Sequence, residues 1–107
     1  MQSLDQLYEV VCRRQAAPFE GSYTAYLFEE GLDKILKKVG EEAAEVIIAA
    51  KNTNQADLTG EICDLLYHLT VLITEKGLDP ATIDSELARR AEKIGNKKPS
   101  HVSDPES

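Results

Sequence analysis

The stretch Leu32-Asp-Lys-Ile-Leu-Lys-Lys-Val-Gly-Glu-Glu-Ala-Ala-Glu-Val-Ile-Ile-Ala-Ala-Lys51 decides the fold of this chain. Ile35, Leu36, Val39, Ala43, Val46, Ile47 and Ala50 recur at three- and four-residue intervals, the period of an α-helix with one apolar stripe. The same stretch carries Glu41, Glu42 and Glu45, a Glu-Glu-x-x-Glu motif. At roughly 100° per residue, Lys34, Lys38 and the three acids fall within an arc of about 100°, with Glu42 nearest the stripe of Val39 and Val46. Like charges so placed repel. Acids that border a buried face, instead of pointing straight into water, call for a counter-charge.

Reading outward, Asn52-Thr-Asn54 is a short polar turn, and Leu58 to Lys76 reads as a second long helix. Leu58, Ile62, Leu65, Leu66, Leu69 and Ile73 line one side of it, and Glu61 and Asp64 (Glu-x-x-Asp) lie at the edge of that side. Packed antiparallel through the turn, the two helices bring their acidic edges face to face. Such a cluster suits a hard divalent cation: Mg²⁺ takes a few carboxylates, keeps several waters and accepts substrate phosphates. The competing interpretation is a solvated acidic face, with Lys34 and Lys38 paired to the glutamates along one helix. Two motifs, each at an apolar edge and one turn apart, favour the metal. A di-iron bundle would need Glu-x-x-His pairs, and neither these nor an EF-hand loop nor a Walker-type phosphate loop occurs. His68, one turn beyond Asp64, is placed to hydrogen-bond it; His101 sits in the C-terminal tail.

The remaining segments are also helical. Leu4, Leu7, Tyr8 and Val11 predict a helix over 3–15 with Ser3 as its N-cap. After a break at 15–21, Ser22 can cap a short helix through Glu30, and Gly31 marks a bend. Gly77 is a natural stop, and Asp79-Pro80 opens a last helix through Ile83, Leu87, Ala91 and Ile94 to Gly95. Residues 96–107 hold two prolines and few apolar side chains and are expected to form a mobile tail. No alternating strand pattern, repeat or linker appears. The expectation is one all-α domain over residues 1–95, an antiparallel bundle of four to five helices.

A chain of 107 residues buries only about two thirds of its unfolded surface, so completion of the bundle as a homodimer is expected. The net charge of −7 argues against nucleic-acid or anionic-membrane partners but permits a small phosphorylated substrate, because a metal can supply the missing positive charge. Cys12 and Cys63 lack disulfide-framework or zinc spacing and are expected in the core. With no signal-like apolar segment and no run approaching ~20 apolar residues, a soluble cytoplasmic protein is expected.

The run from Ser22-Tyr-Thr-Ala25 through Lys38-Val-Gly-Glu-Glu-Ala-Ala-Glu-Val46 to Asn52, and Gly60-Glu-Ile-Cys-Asp-Leu-Leu-Tyr-His-Leu69, resemble the phosphoribosyl-ATP pyrophosphohydrolase family. That family belongs to the all-α nucleotide pyrophosphatases related to the MazG proteins, which share the Glu-Glu-x-x-Glu and Glu-x-x-Asp signature. The likeness covers about residues 4–98. It implies a MazG-like fold, a dimer with sites near the subunit interface, and Mg²⁺-dependent hydrolysis of phosphoribosyl-ATP to phosphoribosyl-AMP and pyrophosphate, the second step of histidine biosynthesis. By its motif Glu42, Glu45, Glu61 and Asp64 map onto metal ligands, and Glu41 and Glu42 are the catalytic candidates. Lys38, Lys51 and Arg89 are candidates for neutralising substrate phosphates. Many members end in a Ser-Gly-Leu-x-Glu-Lys-Ala-Ser-like segment, whereas this chain has Ile94-Gly-Asn-Lys-Lys-Pro-Ser-His101, so no tail contacts are carried over. The chain leaves no room for the cyclohydrolase domain fused to this activity in some organisms, and the next step is expected of a separate protein. The competing functions are a MazG-like hydrolase of canonical or damaged (d)NTPs and a non-enzymatic helical dimerisation module.

Overall fold

A computed structural model of the chain describes residues 1–95; the expected tail over 96–107, with His101, lies outside the described residues. Five α-helices follow one another: α1 (Gln2–Ala16), α2 (Tyr23–Glu30), α3 (Leu32–Ala50), α4 (Gln55–Glu75) and α5 (Pro80–Gly95). Among the described residues there is no strand, as the uninterrupted helical periodicity predicts. The chain divides into two compact units, one over Met1–Gly77 with α1 to α4 and one beginning at Leu78 with α5.

The helix ends follow local chemistry. The Ser22 hydroxyl accepts a hydrogen bond from the Ala25 amide at 3.1 Å, satisfying one of the orphan donors of α2. Gly31 serves both neighbours: its amide donates to the Leu27 carbonyl and its own carbonyl accepts from the Ile35 amide. The junction requires φ of 95°, open to glycine and strained for other residues. At α4 the Asn54 side chain accepts from the amides of Ala56 and Asp57, which starts the helix at Gln55, three residues before the expected Leu58. Ser3 is not a cap. The Asp5 amide already bonds to the Met1 carbonyl, so the first turn begins at Met1 and encloses Ser3. Gly77, at φ 65°, closes α4, and the Asp79 carboxylate accepts from the Ala81 amide at the start of α5.

Within the first unit, α3 and α4 are joined by only four residues and pack along each other as an antiparallel helical hairpin. Helix α2 packs on both, and α1 lies across α2 and α4. The fully buried core takes one residue from each helix: Val11, Leu27, Ile35 and Val71. Leu7, Phe28, Tyr67 and Leu72 pack around them. Thr70 and Thr74 are also buried, and their hydroxyls donate to the carbonyls one turn back, Leu66 and Thr70, so neither hydroxyl is stranded.

Three sequence expectations need correction. Leu36 and Ile47, assigned to the buried stripe of α3, are 45% and 66% exposed, and Ile48 beside them is 58% exposed. The apolar stripe of α3 is broad, about 120° from Ile35 round to Ile47 at roughly 100° per residue, so periodicity could not choose which of its edges faces the core; Ile35 and Ala49 do so. Ile62, placed on the buried side of α4, is 41% exposed, and Cys63 is exposed instead of in the core. The buried face of α4 lies further along, from His68 to Thr74, leaving these two residues of its first half outside. Cys12 is half-buried. No described helix is long and apolar enough to cross a membrane.

Candidate active site

The helical hairpin brings the two acidic motifs together. Glu42 from α3 and Glu61 and Asp64 from α4 each offer a carboxylate oxygen, and the three oxygens lie within 4.8 Å of one another. The positions follow from helix geometry: Glu61 and Asp64 are one turn apart on one edge of α4, and Glu42 projects from the facing edge of α3. The Glu42 side chain is only 14% exposed and that of Glu41 48%, matching the expectation that Glu42 lies nearest the packed face. Glu45, one turn further along α3, is not part of this triplet. It lines a cleft of about 330 Å³ together with Glu61, Asp64 and Asp57. Glu61 thus stands between two acids of the facing helix, with the negative charge of both Glu42 and Glu45 acting on it.

The cluster raises the Glu61 pKa above its ordinary value. Loss of solvent is the first cause, followed by a hydrogen bond shared with Asp64 and repulsion from Glu45, Asp64 and Glu42. A carboxyl whose pKa is raised on folding holds its proton more tightly in the folded state. Its contribution is therefore most favourable below the ordinary value of 4.5 and is lost as pH climbs through the higher folded value. Metal-free protein is accordingly expected to lose stability relative to the Glu61→Gln variant over that window. Urea denaturation of both proteins in chelator, from pH 4 upward, measures the difference.

Lys38 is the one predicted cation that the structure sets against the acids. Its ammonium is 3.3 Å from Glu41 and 3.9 Å from Glu42. Burial lowers its pKa, but the hydrogen bond to Glu41 and the charges of Tyr23, Glu41 and Glu42 outweigh this, and the net shift is upward. Lys34, expected on the same arc, lies instead over the Tyr26 ring at 5.7 Å. Lys51 is the C-cap of α3 and is exposed. Arg89 belongs to α5, where it grips both carboxylate oxygens of Glu86 at 3.1 and 2.6 Å. Arg90 joins at 3.0 Å, and the two arginines hold the Glu86 pKa down to about 2.

The sequence model of the phosphoribosyl-ATP pyrophosphohydrolase family matches residues 4–91. This chain belongs to the phosphoribosyl-ATP pyrophosphohydrolase family. Proteins named phosphoribosyl-ATP pyrophosphatase are similar over nearly their whole length. That of Clostridium novyi is 55% identical over 96 residues, covering 90% of this chain and 87% of the relative. That of Lactiplantibacillus plantarum is 54% identical over 98 residues, 92% of each chain. That of Limosilactobacillus fermentum is 60% identical over 90 residues, 84% of this chain and 85% of the relative.

The residues matched by the pyrophosphohydrolase family include all five acids, Lys38 and His68, which the sequence reading placed only as a hydrogen-bond partner of Asp64. His68 is buried; its Nδ1 is 2.8 Å from the Asp64 carbonyl, and its Nε2 is 3.1 Å from the Tyr23 hydroxyl. Tyr67 stacks against Tyr23 and shares a short hydrogen bond with Thr24. The four-residue step from Asp64 signalled the first His68 contact. Nothing in the local pattern signalled the second, because Tyr23 is 45 positions away in sequence.

Proposed function

We propose that this chain hydrolyses the α–β phosphoanhydride of phosphoribosyl-ATP, releasing phosphoribosyl-AMP and pyrophosphate in the second step of histidine biosynthesis, with Mg²⁺ as its cofactor. The observation that carries the reading is the convergence of Glu42, Glu61 and Asp64 in a chain of this family. The donor set fits the ion. All three groups offer hard oxygens, and ligands around one octahedral Mg²⁺ at 2.0–2.1 Å are about 2.9 to 4.2 Å apart, within reach of small rotations from the spacing seen. Glu42, Glu61 and Asp64 would hold it, with Glu45 available from the cleft wall. When bound, the ion supplies positive charge for phosphate oxygens and lowers the pKa of water.

The chain's own part is positioning, because phosphoanhydride hydrolysis needs little covalent participation. Glu41, more exposed than Glu42, paired with Lys38 and outside the triplet, is assigned to orienting the attacking water. Lys38 neutralises phosphate charge beside the acids. Lys51 is assigned an outer phosphate contact, whereas Arg89, the other cation expected there, is engaged with Glu86 within the second unit. No covalent intermediate forms. The exposed apolar strip of Leu36, Ile47 and Ile48 supports a homodimer as the working form, and an acidic biosynthetic enzyme of this kind is placed in the cytoplasm.

Purified protein with Mg²⁺ should release pyrophosphate from phosphoribosyl-ATP and not from ATP, dUTP or dCTP. A preference for a deoxynucleotide would instead assign the site to nucleotide-pool cleansing, and release from none would leave a non-catalytic helical module.

A further inference from the structure

The cleft beside the acid cluster runs on past it toward the turn of the hairpin. Glu45, Glu61 and Asp64 stand on its acidic side, Ala49 and Gly60 lie further along the two helices, and Asn52 and Asp57 line it at the turn. Its volume of about 330 Å³ reaches the small end of the range for small-molecule clefts, roughly 300–1,000 Å³. Gly60 has no structural reason to be glycine. It lies inside α4 with ordinary helical backbone, not at a positive φ, and a β-carbon built on it would meet nothing within 4 Å. Glycine is poorer than alanine in a helix interior, so the residue weakens α4 without helping its packing. What the missing methyl does provide is depth, because Gly60 forms part of the cleft wall. Asn52 is the second such residue. Its neighbour Asn54 is occupied in capping α4, whereas the Asn52 side chain lines the cleft and bonds no group among the described residues.

Charge decides what can enter. Every charged side chain on the cleft is a carboxylate, with Asp57 adding to Glu45, Glu61 and Asp64, so free phosphate is repelled there. The cation Lys38 lies on the other side of the acids, against Glu41 and Glu42. We propose that this cleft seats the purine base of the substrate, with Gly60 leaving room for the ring and Asn52 reading its edge. A side-chain amide offers both donor and acceptor, and asparagine pairs through them with the N6 amino group and N7 of adenine. Ala49 and Ala56 supply apolar contact for the ring. The nucleoside half of the substrate then lies in the cleft, and the pyrophosphate half leaves on the Lys38 side. Lys51, next to Asn52 at the end of α3, is then on the side of the phosphoribosyl group that the base carries. The proposal rests on the nucleotide substrate given above and adds which part of it lies where.

Calorimetric titration of the full chain with AMP and, separately, with pyrophosphate, each in Mg²⁺, tests it. Gly60→Ala should bind AMP about tenfold more weakly, the lower end of the effect of one methylene in a fitted pocket. Asn52→Ala should lose about fivefold, the lower end for an asparagine–adenine pair. Both variants should bind pyrophosphate as wild type does, and KM for phosphoribosyl-ATP should rise in step with the loss of AMP binding. Gly60→Ala should also melt higher than wild type in chelator, because alanine favours the helix and its methyl meets no neighbour. A loosened fold would give the opposite melting shift. No AMP binding by wild type, wild-type AMP affinity in either variant, weakened pyrophosphate binding in its place, or a lower-melting Gly60→Ala would overturn the proposal. Weaker AMP binding in both variants, with no turnover of phosphoribosyl-ATP by wild type, would refute the assigned substrate and leave the base seat standing.

Discussion

Glu61→Gln is expected to lower kcat by about 10²–10³-fold, the usual cost of deleting one electrostatic contributor to a transition state, while making the metal-free protein more stable. The two effects share a cause. Glu61 stands among Glu42, Glu45 and Asp64, and its raised pKa records the penalty of ionising there. A neutral isostere removes that repulsion and removes a ligand with it. Most substitutions at half-buried positions destabilise, so a gain in metal-free stability together with lost turnover distinguishes a functional acid from a structural one. Thermal melts in chelator and steady-state kinetics in Mg²⁺ read the two sides. Saturating Mg²⁺ should stabilise wild type more than the variant, because binding to the folded state alone shifts the unfolding equilibrium. If Glu61→Gln melted lower than wild type in chelator, the acid would be holding the fold together and the repulsion argument would fail.

Leu27→Ala should have the largest effect on stability, a loss of about 2–5 kcal/mol, the range for truncating a buried leucine. Leu27 has no exposed surface and sits where α1, α2, α3 and α4 each contribute one fully buried side chain. A unit of this size has roughly 4–12 kcal/mol in all, taking about 0.05–0.15 kcal/mol per residue over Met1–Gly77. The substitution therefore consumes a large fraction of the total. Leu36→Ala, at a side chain 45% exposed, should cost far less in the isolated chain. Urea midpoints of the two variants against wild type compare them directly.

Much of this was legible in the sequence because the informative signals were local. The three- and four-residue intervals of α3 placed Glu42 beside the packed face, and the short Asn52–Asn54 turn forced α4 to return along α3. The meeting of Glu42 with Glu61 and Asp64 follows from those two facts. What stayed hidden was non-local or degenerate. The broad apolar stripe of α3 has Ile35 at one edge and Ile47 at the other, and which edge is buried was decided by where α2 and α4 pack. The start of α4 moved because Asn54, read only as turn, is its cap. Cys63 looked like core from its residue type, yet it lies in the first half of α4, ahead of the buried run His68 to Thr74. The bond between Tyr23 and His68 joins helices that no periodicity relates.

The central claim is that these acids serve a divalent cation in the cleavage of phosphoribosyl-ATP. Phosphorus-31 NMR of the reaction tests it most directly, with wild type and Asp64→Asn each followed in Mg²⁺ and in excess chelator. The account predicts pyrophosphate and a monophosphate ester appearing in equal amounts with wild type in Mg²⁺, and essentially no conversion on the same timescale in the other three samples. Conversion by wild type in chelator, or by Asp64→Asn in Mg²⁺, at rates near that of wild type in Mg²⁺ would contradict it.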